Sequence, residues 1–348
     1  MRVNPENSEK EATEEDKALR PGSLREFTGQ KSIKEKLSVS IQAAKERGEP
    51  LDHVLFSGPP GLGKTTLASI VASEMGGRFH STAAPALSKP RDLAKILTLL
   101  EKNDVLFLDE MHRLNRPCEE ILYPAMEDGY IDFILGEGVS AQSIKIHLQP
   151  FTLIGATTRS GMLTTPLKTR FGMEFKLEYY ETGEIADIIE RSSALMDLRL
   201  ENGAAFAIAS RSRMTPRVAN RLLRRIRDYA TVSGIKMVSA KFAEECLEKL
   251  GIDELGLVAM DRKLLTLLME RYGGGPAGIK TLAVLVDEEE RTLEEDHEPY
   301  LMRLGLLEKT PQGRVLTSAA YKHIGADFVL QAEGAGIGSA KGQRNLLL

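Results

Sequence analysis

Three short apolar runs punctuate the first half of the chain: HVLFSG at 53–58, DVLFLDE at 104–110 and FTLIGATT at 151–158. A strand that is apolar at successive positions has both faces covered, so these runs predict a parallel sheet with helices on either side. After the first run, KTTLASIVASEM sets Leu67, Ile70, Val71 and Met75 at helical spacing, and Gly76–Gly77 stops the helix. YIDFIL (130–135) and IKIHLQ (144–149), joined by GEGVSAQS, read instead as a β-hairpin, an insertion at 130–149. Ile131, Phe133, Ile144, Ile146 and Leu148 alternate along it and predict one apolar face, either open or packed on the body of the domain.

The pattern changes at 182. EIADIIERSSALM, AAFAIASRS, PRVANRLLRRIRDYA and AKFAEECLEKL are all helical, which predicts a small bundle over 182–254. From 255 a third unit begins: VAMDRKLLTLLMERY and IKTLAVLVDEEE as helices, then a helix starting at Thr292 with a capping box to Glu295, then LLEKT and RVLT as a hairpin around PQG. Three helices and a hairpin describe a winged helix over 255–330. Residues 1–18, polar and acidic, and the Gly-rich 331–348 read as loose tails. The first domain is then 19–181.

The chain has 348 residues, 42% of them hydrophobic and 28% charged, as expected of a soluble globular protein with several cores. Nothing approaches a membrane span or a secretory leader, and two cysteines exclude a disulfide framework. A cytoplasmic protein is expected. The net charge of −4 means that any nucleic-acid contact must come from a local patch.

The chemistry concentrates at the ends of the apolar runs. GPPGLGKT, residues 58–65, satisfies G-x-x-x-x-G-K-[ST] between a predicted strand and a predicted helix. Backbone N–H groups around Gly61, Leu62 and Gly63 would converge on phosphate oxygens, Lys64 would reach the β- and γ-phosphates, and Thr65, followed by Thr66, would hold Mg²⁺. Asp109 at the end of the second run is a further Mg²⁺ candidate, and Glu110 a residue to polarise the attacking water. Thr157 or Thr158 would position that water; alternation along a strand leaves the choice between them open. Arg217 follows Pro216 in the first turn of a helix, where it can meet a γ-phosphate. Arg221, Arg224 and Arg225 share its face and read as a solvated basic surface.

LRPGSLREFTGQ, GPPGLGKTTLA, LFLDEMHRL, EEILYPAMED, FTLIGATTRSG, LKTRFG and TPRVANRLLRR, in that order, resemble the RuvB family, the AAA+ motors of bacterial Holliday-junction branch migration. The resemblance spans 19–325 and is carried most specifically by LYPAMED, FTLIGATTR and TPRVANRLLRR. It implies a homohexameric ring on duplex DNA, ATP with Mg²⁺ between subunits, a RuvA-type junction-binding partner docked on the hairpin 130–149, and a RuvC-type resolvase in the same assembly. It also implies that Arg170 reaches the neighbouring subunit's nucleotide. Leu19, Arg20 and Tyr180 would line the adenine pocket, with Glu127, Asp128 and Gly129 beside the nucleotide interface. The third winged-helix helix is acidic, with Glu294, Glu295, Asp296 and Glu298, so DNA backbone contact is expected on the wing through Lys309 and Arg314. Two other readings compete. A clamp-loader-like switch acting on a protein ring would carry a helical collar instead of a winged helix. A non-catalytic scaffold would have lost Lys64, Glu110 or Arg170.

Overall fold

The computed structural model describes residues 18–135 and 142–325. The tails at 1–17 and 326–348, and the tip of the inserted hairpin, lie outside them. The described chain divides into two compact units, meeting in sequence between Val258 and Ala259.

The first unit is built on five parallel strands in the order β2-β3-β6-β1-β7: β1 Val54–Ser57, β2 Phe79–Ala83, β3 Val105–Asp109, β6 Thr152–Thr157 and β7 Met173–Lys176. The three apolar runs are its three inner strands. Their alternate residues feed two cores. Val54, Phe56, Val105, Phe107, Ile154 and Ala156 belong to one; Leu55, Leu106, Leu108 and Leu153 belong to the other. β2 and β7 are the edges, and the apolar runs do not mark them. They are only partly buried, so their sequences, FHSTA and MEFK, lack a continuous apolar run.

Helix α1 (Lys31–Arg47) and helix α2 (Lys64–Met75) cover the first core, with Leu67, Ile70, Val71 and Met75 all buried as their spacing predicts. Gly76, left-handed at φ 73°, caps α2. Helices α3 (Pro90–Thr98) and α4 (Arg116–Glu127) cover the second core. The hairpin is β4 (Tyr130–Leu135) against β5 (Gln142–His147), antiparallel, with Ile131 opposite Ile146. Its apolar face is divided. Ile131 is buried in the second core and Ile146 and Leu148 pack against that core, whereas Ile144, nearer the tip, is exposed. A short helix α5 (Thr165–Lys168) precedes β7.

The helical bundle continues the first core. It comprises α6 (Thr182–Leu195), α7 (Ala204–Ser210), α8 (Pro216–Val232) and α9 (Ala240–Lys249), with a two-residue parallel pair, β8 (Arg199–Leu200) and β9 (Met237–Val238). Ile185, Ile189, Leu222 and Ile226 join the sheet residues in one cluster.

The second unit has α10 (Ala259–Tyr272), α11 (Ile279–Val286), a third helical stretch and the wing β10 (Leu307–Thr310)/β11 (Gly313–Leu316), followed by α14 (Ser318–Ile324). The third stretch corrects the sequence reading. It starts at Glu290 rather than at Thr292 and runs as α12 (Glu290–Thr292), a π turn (Leu293–His297) and α13 (Glu298–Arg303). Thr292 is already helical and caps nothing. Glu295 pairs with Arg291 at 3.0 Å, one turn back. Pro299 explains the π turn: it lacks an N–H and its ring crowds the carbonyl four residues earlier, so the preceding turn widens.

A second correction concerns the wing. Arg314 does not face outward. Its side chain is 8% exposed and its guanidinium donates to both oxygens of Glu298 (2.6 and 3.0 Å) and to Glu294 (3.3 Å). The acidic helix that would repel DNA binds the wing arginine from within. Lys309, its register partner, keeps a half-exposed side chain, 3.9 Å from Glu294.

Candidate active site

The strand order places the carboxyl ends of β1, β3 and β6 side by side, and the chemistry sits there. The loop after β1 needs its glycines. Gly58 (φ 134°) lies where a Cβ would come within 2.6 Å of the Leu177 carbonyl, and Gly61 (φ 79°) where it would come within 3.0 Å of the Arg217 side chain. Gly63 is the left-handed N-cap of α2, whose first N–H groups have no side-chain acceptor, the arrangement that suits an anion.

Lys64 follows at the start of α2. It is 8% exposed, and its Nζ donates to the carbonyls of Gly58 (2.7 Å) and Pro59 (2.8 Å). Burial drives its pKa down to about 8, against the opposing charges of Asp109 and Glu110; Arg217 adds to the depression. Asp109 ends β3 and accepts the Glu110 N–H at 2.9 Å. Glu110 is left-handed (φ 51°), unusual for a residue with a side chain and typical of strained functional positions.

The two threonines of β6 separate in role. Thr157 is fully buried, and its hydroxyl meets the Arg159 N–H and His112 Nδ1, both at 3.0 Å. Its carbonyl accepts the Gly58 N–H at 3.2 Å, tying the phosphate loop to β6. The Thr158 hydroxyl is buried without a hydrogen-bond partner. A buried hydroxyl left open in this way suits a group that meets a ligand.

The helical bundle closes over the loop. Thr215 caps α8 by accepting the Val218 N–H, and the Arg217 N–H reaches the Gly61 carbonyl at 3.4 Å. Tyr180, 3% exposed, donates its hydroxyl to the Leu62 carbonyl at 3.0 Å; burial pushes its pKa well up. Leu19 is buried. The carbonyls of Leu19 and Arg20 accept from Arg191 of α6, at 2.8 and 3.4 Å. Leu19, Arg20 and Tyr180 thus link the entry segment, the phosphate loop and the bundle. Thr65 and Thr66, half-buried, stand in the first turn of α2.

Arg170, Glu127, Asp128 and Gly129 lie elsewhere. Arg170 donates to the Glu127 carboxylate (3.0 Å) and the Pro166 carbonyl (2.7 Å), and its guanidinium sits 4.3 Å from the centre of the Tyr123 ring. Its Nε is buried without a hydrogen-bond partner. Arg170 precedes β7, whose first residue Met173 pairs with Val54 at the start of β1. The Met126 carbonyl, just before Glu127, meets His53 at 3.2 Å, again at the start of β1. This group therefore occupies the amino end of the sheet, the opposite end from the chain's own phosphate loop.

Sequence reasoning missed His112, which stands between Glu110 and Thr157, and Tyr123, which stacks on Arg170. A lone His two residues past a carboxylate carries no spacing that marks it, and Tyr123 looks like any helical aromatic. Among the described residues no cluster of three or more His, Cys, Asp or Glu side chains forms a metal cage. Thr65 and Asp109 beside a phosphate site are a fitting donor set for Mg²⁺, which takes few protein ligands and keeps substrate oxygens.

Residues 19–177 match the model of the Holliday junction DNA helicase RuvB P-loop domain, 180–253 the RuvB AAA lid domain, and 254–325 the RuvB C-terminal winged helix domain. The Thermotoga maritima RuvB Holliday junction branch migration motor is 48% identical, covering 90% of this chain and 100% of its own, with a TM-score of 0.82. A P216G mutant of the Thermotoga maritima protein is 49% identical, covering 89% and 100%, at 0.83. Its K64R mutant is 49% identical, covering 89% and 99%, at 0.82.

Proposed function

The chain belongs to the RuvB family of Holliday junction branch-migration motors and is an AAA+ ATPase, and from that premise we propose that it works as a homohexameric ring whose nucleotide sites are shared between neighbours. Each chain would bind ATP with the loop 58–65 and contribute Arg170 to the next chain's γ-phosphate. The observation that carries this reading is the position of Arg170, with Glu127, at the opposite end of the sheet from its own phosphate loop. A fixed guanidinium there serves a nucleotide only across a subunit boundary, where it is worth about 10³–10⁵ in rate.

Within one site the division of labour follows the contacts. The backbone around Gly61, Leu62 and Gly63 cradles phosphates, and Lys64 neutralises their charge. Mg²⁺, held by Thr65 and through Asp109, would add charge neutralisation between phosphate oxygens. Glu110 orients the attacking water, and Thr158 supplies a second contact to it or to the γ-phosphate. Leu19, Arg20 and Tyr180 hold the adenine side. Arg217, packed on Gly61, would sense the γ-phosphate and pass nucleotide state to the bundle.

On DNA, the half-exposed Lys309 of the wing would make a backbone contact free of sequence information, as a motor that crosses any sequence requires. Ile144, exposed on β5 of the hairpin, would be part of the surface offered to a RuvA-type partner, and a RuvC-type resolvase would join the same assembly. The proposed domain limits are 19–181, 182–254 and 255–330. The proposed compartment is the cytoplasm; no described helix is long and apolar enough to cross a membrane.

The test follows a labelled synthetic four-way junction with ATP, with and without the RuvA-type partner. ATP-dependent dissociation into duplexes that needs the partner supports the motor. Hydrolysis without junction movement under any condition turns the reading to the clamp-loader-like switch.

A further inference from the structure

We infer that His112 is a positioning residue for ATP hydrolysis: its imidazole ties the Glu110 carboxylate to the Thr157 hydroxyl and thereby sets how Glu110 meets the attacking water. The inference rests on the reading of Glu110 as the residue that orients that water.

The geometry is a directed chain of contacts across two strand ends. The Arg159 N–H donates to Thr157 Oγ at 3.0 Å. That hydroxyl's own proton can then turn to His112 Nδ1, also at 3.0 Å. With Nδ1 accepting, the ring proton belongs on Nε2, and Nε2 lies 3.4 Å from a Glu110 carboxylate oxygen. Each donor finds an acceptor in a single tautomer, and the carboxylate receives a proton donor at its end. The imidazole is walled in, with its side chain 4% exposed against 26% for Glu110. A buried ring with Nδ1 hydrogen-bonded and Nε2 within ion-pair distance of Glu110 has little freedom to swing, so it transmits position.

Glu110 has reason to need this. It directly follows the end of β3 in a left-handed conformation and precedes the 3₁₀ turn Met111–Arg113. That turn returns His112 under the carboxylate, with Met111 buried in the core below as an anchor. Thr157, the other end of the bridge, also accepts the Gly58 N–H and directly precedes Thr158. The phosphate loop and the candidate sensor are therefore joined at Thr157, and one ring links Thr157 to the water-orienting carboxylate.

The test compares full-length variants His112→Ala, His112→Gln and His112→Asn for kcat, KM for ATP, binding of a fluorescent ATP analogue and thermal stability, with Glu110→Gln alongside. Displacing a reacting group by about 1 Å costs on the order of a hundredfold. His112→Ala is expected to lose roughly ten- to a hundredfold in kcat while analogue affinity stays within about threefold. Gln can put an amide N–H near the Nε2 position and Asn cannot, so Gln should recover part of the rate and Asn none. If the alanine variant does not fold, the Gln/Asn pair decides. A wild-type kcat in His112→Ala overturns the inference. So does a rate loss that only follows lost binding or stability, with Gln no better than Asn. Unimpaired hydrolysis in Glu110→Gln removes the premise itself; a dead Glu110→Gln beside a fully active His112→Ala defeats the His112 inference alone.

Discussion

Lys309 and Arg314 face each other across the wing, and only Lys309 reaches solvent. Both are basic residues in a turn-rich hairpin, so composition could not separate them. What separates them is Glu298, itself 4% exposed, which only a buried guanidinium can satisfy. Removing one partner of such a pair strands the other charge. Arg314→Ala should destabilise residues 259–325 by about 3–5 kcal/mol in denaturant unfolding. Arg314→Lys should recover little, because an ammonium cannot bind both carboxylate oxygens as a fork. Lys309→Ala should leave stability alone and weaken duplex binding with a shallower salt dependence. Lys64 allows a second prediction at this scale. With its pKa in the free protein at about 8, and phosphate charge favouring the protonated form, ATP affinity should hold below that pH and fall by up to about tenfold per unit above it. Calorimetry in buffers of different ionisation enthalpy should show proton uptake on ATP binding near pH 8. A pH-independent affinity between 7 and 9 with no proton uptake would contradict it.

At the scale of elements, readability followed burial. The inner strands were legible because a strand covered on both faces is apolar throughout, and the phosphate loop because its chemistry demands fixed spacing. β2 and β7 were not, since edge strands carry a mixed pattern. The π turn escaped because the sequence reads as one continuous helix through Pro299, and nothing in its spacing shows that the chain absorbs the proline by widening one turn. The hairpin shows a further limit. Alternation announced an apolar face but not that the body of the domain already covers its lower half, through Ile131, Ile146 and Leu148. The division yields a contrast. Ile144→Asp should fold with wild-type stability and basal ATPase activity, yet lose the added junction dissociation that a RuvA-type partner brings. Ile146→Asp should lower the melting temperature, since it puts a charge against the second core. Equal loss of partner-dependent activity with no change in stability for both would mean that the whole face is exposed in solution.

For the whole molecule, the site was legible in its parts and hidden in its arrangement. The motifs named Lys64, Glu110 and Arg170, but only the strand directions reveal that Arg170 and Glu127 stand at one end of the parallel sheet and the phosphate loop at the other. Four-residue β1 separates them by about 13 Å of strand alone, at roughly 3.3 Å per residue. On the proposed ring, an arginine so placed would make each chain half of two sites. Arg170→Ala should then bind ATP with near wild-type affinity and hydrolyse it at least about a hundredfold more slowly, the scale of a lost transition-state guanidinium. Glu110→Gln should likewise bind and fail. Mixed in one ring, the two variants should regain activity, because an intact loop with Glu110 from the Arg170→Ala chain meets Arg170 from the Glu110→Gln chain wherever the two adjoin in the right order. The recovered rate should rise and fall with the mixing ratio and peak near equal amounts. A single-chain site would give two dead proteins whose mixture stays dead at every ratio, after subunit exchange has been verified by fluorescence energy transfer. That outcome would leave Arg170 with its local partners Glu127 and Tyr123 as a structural clamp.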